Sequence, residues 1–368
     1  MSRRSVGIVG LGAHLPDTIR PNAWWPPPSS DGASFIRPDA GGTTGAIVER
    51  LANDRFRGAV ERRCIADDQR PSDMEIAACR AALASAGVDP TQIDLLIGAS
   101  QVPDEVSPSN HGRVALGLGI PHRATAFTID AGCASFIPQL NTACRLVEVG
   151  DHELGLIYQS SASSRVLDPQ ADWSFGLGDG AVAEVIGPVE PGLGLVGRMQ
   201  WTRGELSNGL VIGRTDGDRR WFEAGSQPTG FQILARDPEV VMQMGRMGAE
   251  YAREICAALL STCGYGPSDV SFFACAQATV WFGEACAAAI GIPEGRYLRP
   301  DEHFQRFGHL LPASASLNVY LAWLAGRLTP GDLVLIYSPG VGFTQGASLI
   351  RWSLPRPAQP SSGTSPAH

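Results

Sequence analysis

The chain has 368 residues, a formal net charge of −8 and 18% charged residues, a size that suits two domain-sized cores or two halves sharing one. All 29 basic residues are arginine. That excludes Schiff-base chemistry and the phosphate lysine of a P-loop, and an acidic chain with no basic run is a poor fit to nucleic acid. The elements then read in chain order. A first strand covers residues 6–9, followed by a loop-like stretch rich in Pro, Ser and Gly over 21–42. Helical periodicity at 73–86 has Ser72 as its expected N-cap. A strand at 95–99, a helix at 110–118, a strand at 126–129 and a helix at 136–149 come next, then strands at 154–158 and 181–186. The second half gives a helix at 239–260, a strand at 270–275, helices at 280–290 and 314–324, and strands at 333–337 and 347–352. The alternation points to an α/β fold with a layered sheet.

The two halves share one grammar. Gly150-Asp151 leads into Leu156-Ile157-Tyr158, the glycine pair Gly176 and Gly178, and a strand from Ala181; Gly331-Asp332 leads into Leu335-Ile336-Tyr337, Gly340 and Gly342, and a strand from Ala347. The expected division is an N-terminal half at 1–190, a C-terminal half at 191–354 and a disordered Pro/Ser-rich tail at 355–368. No apolar run reaches the ~18–20 residues of a membrane span. The stretch after Met1-Ser2-Arg3-Arg4 is short, glycine-broken and without a cleavage site, so the expected compartment is cytoplasmic.

Motifs for bound groups are weak. Gly7, Gly10 and Gly12 mimic a dinucleotide turn, but the third glycine of that fingerprint is missing and Pro16 blocks the helix that should follow. The seven histidines contain no HExxH, His303 and His309 lie six apart rather than on one helix face, and the eight cysteines form no CxxC. No metal and no cofactor is expected. The informative segment is Thr125-Ala126-Phe127-Thr128-Ile129-Asp130-Ala131-Gly132-Cys133-Ala134-Ser135-Phe136. It sets Cys133 at a strand-to-helix turn, where helix N-terminal amides favour a thiolate and can bind a developing oxyanion. Taken alone it leaves two readings, a nucleophile or a buried structural cysteine.

Ala131-Gly132-Cys133-Ala134-Ser135-Phe136 resembles the nucleophile motif of the β-ketoacyl-acyl carrier protein synthase III family of the thiolase superfamily. Asp179-Gly180-Ala181 is similar to that family's G-D-G-A turn, and Gly340-Val341-Gly342-Phe343-Thr344 to its G-G-G-F-T turn. The resemblance covers nearly the whole chain. It implies the thiolase fold: two similar βαβαβαββ halves in a five-layered α-β-α-β-α core, with a homodimer as the usual assembly. It also implies an oxyanion hole from the main-chain N–H groups of Cys133 and Val341, with Val341 in place of a family glycine.

Two departures bear on mechanism. The family's P-H-Q-A-N string reads Cys275-Ala276-Gln277-Ala278-Thr279, so Ala276 replaces a histidine; the H-G-N string reads Phe307-Gly308-His309, so His309 replaces an asparagine. Stabilising the enolate of a decarboxylating malonyl thioester takes two aimed donors, and one remains. An imidazole accepts a proton and an amide does not. Cys133 and His309 together therefore suit acyl transfer from an acyl-CoA or phosphopantetheinyl carrier-protein substrate to a hydroxyl, amine or thiol on a small-molecule or carrier-bound acceptor. The alternatives are a decarboxylative synthase that primes a polyketide or fatty acid chain, and a silent partner subunit of a ketosynthase heterodimer. Cys275 could be a second thiol or a core cysteine, and Ser314 could orient His309 or cap a helix. Trp24, Trp25 and Trp281 could line an acyl pocket or simply pack. The arginine- and alanine-rich composition fits a bacterial specialised-metabolite (polyketide or antibiotic) setting.

Overall fold

The computed structural model describes residues 4–27, 54–169, 171, 174–214 and 230–357. Most of the loop expected at 21–42 and most of the tail expected at 355–368 lie outside the described residues. Along the chain run β1 (Val6–His14), β2 (Thr18–Pro21), β3 (Glu61–Cys64), α1 (Pro71–Ala86), β4 (Leu95–Ser100), α2 (His111–Leu118), β5 (Thr125–Thr128), α3 (Phe136–Val149), β6 (Gly155–Ala162) and β7 (Asp179–Pro188). Then follow β8 (Gly194–Thr202), β9 (Leu210–Arg214), β10 (Phe231–Ala235), α4 (Pro238–Cys263), β11 (Phe272–Cys275), α5 (Phe282–Ile290), α6 (Phe304–Phe307), α7 (Ser314–Leu324), β12 (Leu333–Pro339) and β13 (Thr344–Arg351).

Two sheets carry the repeat. The first has the order β1-β7-β6-β4-β5 and the second β8-β13-β12-β11. In each, a parallel pair (β4 with β6, β11 with β12) joins an antiparallel pair (β6 with β7, β12 with β13). The fifth position of the second sheet is taken by irregular chain, where Phe273 N donates to Arg296 O at 2.7 Å. Strands such as β6 are buried at every position, as strands covered on both faces must be. Helices α3 and α7 touch strands of both sheets, while α1 packs on the first and α4 on the second. That is the expected five-layer order. Three apolar clusters match its interfaces: one around α3 and α7, one between α4, α5 and the second sheet, one between α1 and the first.

One boundary needs correction. Ser72 is not the N-cap of α1: Pro71 occupies the first helical position, Arg70 is the cap, and Asp73 accepts from Arg70 N at 2.9 Å. Proline fixes φ for the first turn and needs no N–H partner there. Ser72 falls inside that turn and binds Asp104 through its amide and hydroxyl at 3.0 and 2.7 Å.

Candidate active site

Two turns from opposite halves meet around Cys133. On the first, Asp130 accepts from Gly132 N at 2.8 Å, while the Ser135 hydroxyl accepts from Ala131 N at 2.9 Å and donates to Gly132 O at 2.7 Å. Gly132 has φ +56°, and a Cβ there would sit 2.7 Å from Val341 Cγ2; glycine is required by conformation and by room. On the second turn, Ser338 Oγ donates to Cys133 O at 2.8 Å. The positive φ that this turn needs falls on Gly342 at +90°, not on Val341, so valine is accommodated without strain.

The amides of Val341 and of Cys133 itself favour the charged form of the Cys133 sulfur. The sulfur is nevertheless no resting thiolate. Burial pushes the thiol up to about 12, and the two amides only partly offset this. The expectation of a thiolate favoured by the helix N-terminus is therefore corrected: desolvation of the charge outweighs the donors.

His309 is placed by backbone. Its N–H donates to Gly176 O at 2.8 Å and its carbonyl accepts from Gly178 N at 3.2 Å. The chain then turns through Leu311, whose φ is +49°, a conformation rare for a branched side chain and concentrated at functional sites. The His309 ring is buried, which lowers its pKa to about 4. At neutral pH it is an uncharged imidazole able to accept a proton.

Cys133, His309 and Val341 line one cavity of about 320 Å³. Its walls are mostly apolar, from β9, β10, the first half of α4, and Trp281, Phe282, Leu311 and Phe343. Arg57, Arg246, Gln101 and Thr279 also reach it. Among the described residues no group of three potential metal ligands occurs.

Comparison with known proteins fits this geometry. The family described as 3-oxoacyl-[acyl-carrier-protein] synthase III matches residues 127–204, its C-terminal part matches 260–352, and the thiolase N-terminal domain matches 55–165. The β-ketoacyl-[acyl-carrier-protein] synthase III of Mesorhizobium japonicum is 32% identical over 356 residues, covering 95% of this chain and 99% of the relative. That of Rhodospirillum centenum is 30% identical over 353 residues, covering 96% and 100%. The chain belongs to the β-ketoacyl-acyl carrier protein synthase III family. Its fold matches the solved synthase III from Thermus thermophilus with a TM-score of 0.76 at 25% identity, covering 94% and 99%. It also matches the priming β-ketosynthase of the R1128 polyketide pathway with a TM-score of 0.77 at 24%, covering 97% and 98%.

As a synthase III relative, the chain departs where its sequence does. Ala276 is fully buried in the central core and donates its N–H to Tyr337 O at 3.1 Å; it does not line the cavity. Cys275 packs in the outer core beside Cys256 and Cys286 and is no second thiol of the site. Ser314 opens α7, and its hydroxyl accepts from Gln277 N at 3.0 Å instead of orienting His309 or capping the helix. Trp281 does line the cavity; Trp25 packs edge-on against Phe175 with centroids 6.3 Å apart, outside it. Two features escaped the sequence reading. The β9–β10 pair gave too few residues for a period, and Thr279, whose buried hydroxyl has no partner, was read only as part of a string.

Proposed function

We propose that this synthase III relative is an acyltransferase whose nucleophile is Cys133 and whose base is His309. His309 takes the thiol proton as the sulfur attacks the carbonyl of an acyl-CoA or acyl-carrier-protein thioester. The oxyanion forms against the amides of Cys133 and Val341. Collapse expels the donor's thiolate, which recovers the proton from the imidazolium. A hydroxyl, amine or thiol acceptor then attacks the acyl-cysteine, giving its proton to His309, and the departing Cys133 thiolate takes that proton back. The observation that carries the reading is the pairing in one cavity of a protonated, buried thiol with a neutral imidazole, while Ala276 offers the cavity nothing. Arg57 and the exposed Arg246 on the cavity wall suit the phosphates of a pantetheine arm.

A second reading has its own support. The unpartnered Thr279 hydroxyl could supply the missing donor to an enolate, as a decarboxylative priming ketosynthase needs. We extend the first reading to a cytoplasmic homodimer in bacterial polyketide or antibiotic assembly. A low charge fraction and the exposure of Val106 and Leu116, 78% and 83%, support a subunit interface.

Intact mass after incubation with a panel of acyl-CoA and acyl-carrier-protein donors tests the reading. We expect an acyl adduct on the native chain and none on Cys133→Ala, discharged by oxygen, nitrogen or sulfur nucleophiles without carbon dioxide. Carbon dioxide released from malonyl-carrier protein, with a β-ketoacyl product, would replace the first reading by the second. No adduct with any donor would favour a silent subunit.

A further inference from the structure

The reaction above leaves a set of polar atoms behind His309 without a role. His309 Nδ1 is buried and has no hydrogen-bond partner, and the same holds for His303 Nε2 and Asn318 Oδ1. His303 and Asn318 are fully buried and meet through Asn318 Nδ2 and His303 Nδ1 at 3.1 Å. The backbone brings the histidines together. His303 closes a turn, its carbonyl accepts from Arg306 N and Phe307 N at 3.1 and 3.0 Å, and one turn of α6 carries the chain round to His309. A charge on His309 would lower the pKa of His303, so the two rings are electrostatic neighbours.

A base at His309 Nε2 demands that the ring's one hydrogen sit on Nδ1, and a buried N–H without an acceptor is costly. Fixing the other nitrogen is how an imidazole's tautomer is set. We propose that His303, held by Asn318, is the positioning residue of His309. The His309 Nδ1–H bonds to His303 Nε2 through one ordered water, since neither atom has a direct partner. His303 Nδ1–H in turn bonds to the Asn318 carbonyl oxygen, the arrangement reached by exchanging Oδ1 and Nδ2 of that amide. The chain then satisfies His309 Nδ1 and His303 Nε2, moves the amide's unpartnered position from its oxygen to its nitrogen, and leaves His309 Nε2 unprotonated toward the cavity. No proton leaves the pair; its role is to select the tautomer.

The catalytic consequence rests on the acyltransfer reading, but the tautomer does not, so the two fail separately. In the full chain with ¹⁵N-labelled histidine, and His309→Asn for assignment, nitrogen shifts report which ring atom of His309 carries hydrogen. We expect the Nδ1–H form in the native protein and its loss in His303→Phe. Alkylation of Cys133 by iodoacetamide at pH 7, read by mass, should slow about tenfold to a hundredfold in that variant. His303→Gln, which keeps an acceptor, should recover most of the rate. Should His303→Phe fail to fold, Asn318→Ala must move tautomer and rate in the same direction. An unchanged tautomer and an alkylation rate within twofold of native, in whichever variant folds, would overturn the proposal.

Discussion

Burial pushes the Cys133 thiol up to about 12 even though the amides of Val341 and Cys133 favour its charged form. At pH 7 such a thiol is ionised in about one molecule in 10⁵, so attack through a standing thiolate is negligible and the proton must leave as the bond forms. In the proposed reaction that is the task of His309, and it gives the reaction a pH profile. With its pKa near 4, the imidazole is charged and unable to accept below that value, and neutral above it. Native acyl loading should therefore rise through pH 4 and stay level from about pH 5 to 8. His309→Ala should load about 10²- to 10⁴-fold more slowly at pH 7. Its rate should climb about tenfold per pH unit toward pH 10, because hydroxide must then create the thiolate. Single-turnover mass measurements across pH check this; a variant with the native rate and a level profile would remove His309 from the reaction.

At the scale of elements, the site is the contact between two turns that belong to different halves. A Cβ on Gly340 would come 2.1 Å from Ala131 O and 2.8 Å from Ala134 N, both backbone atoms that cannot swing aside. We expect Gly340→Ala to part the turns, to destabilise the fold by roughly 1–3 kcal/mol as overpacking does, and to slow acyl loading more than that loss of folded protein accounts for. Urea midpoints beside loading rates test this; normal loading at lowered stability would mean that Val341 N–H is not part of the machinery. These turns were legible in the sequence because each is a short string whose glycines must stay where backbone meets backbone. The helices at 136–149 and 314–324 were legible for another reason, their long apolar periods, and the structure returns the same bounds. What stayed hidden was tertiary. His303 was set aside because six residues do not make one helix face, yet a turn and a four-residue helix bring it close to His309. Ser314 bonds to Gln277 across a gap of 37 residues that no local pattern encodes. Cys133 kept its place, but its protonation followed from burial, which the sequence does not display.

For the whole molecule, the five-layer packing encloses three carboxyl groups without an ion pair among the described residues, Asp179, Glu75 and Glu184, and the last two show the largest effect. Glu75 accepts from Ser100 at 2.6 Å, Ser160 at 2.5 Å and Asn110 at 3.0 Å; Glu184 accepts from Gln159 at 3.2 Å and from Ser316 on α7. Burial raises their pKa values to about 7 and about 8 from 4.5, with the hydrogen bonds only partly offsetting it. In the folded chain Glu184 thus keeps its proton to about pH 8, whereas in the unfolded chain it releases it near pH 4.5. Between those values the unfolded state binds fewer protons, so stability falls as pH rises. The lowered pKa values of His303 and His309, about 3 and about 4, act the other way. Their unfolded forms take up protons near pH 6.5, so stability falls as the solution is acidified below that point. The opposing slopes overlap between pH 4.5 and 6.5, and the carboxyl contribution stands alone above it. Glu184→Gln keeps the side chain's shape and removes its ionisation. Its stability relative to the native chain should grow as pH goes from 5 to 8.5, by on the order of 3 kcal/mol, and change little below pH 4.5. Urea unfolding of both chains at a series of pH values measures it. A difference that stays constant across that range would mean that Glu184 ionises in the folded protein as readily as in water, and that the central layers admit solvent.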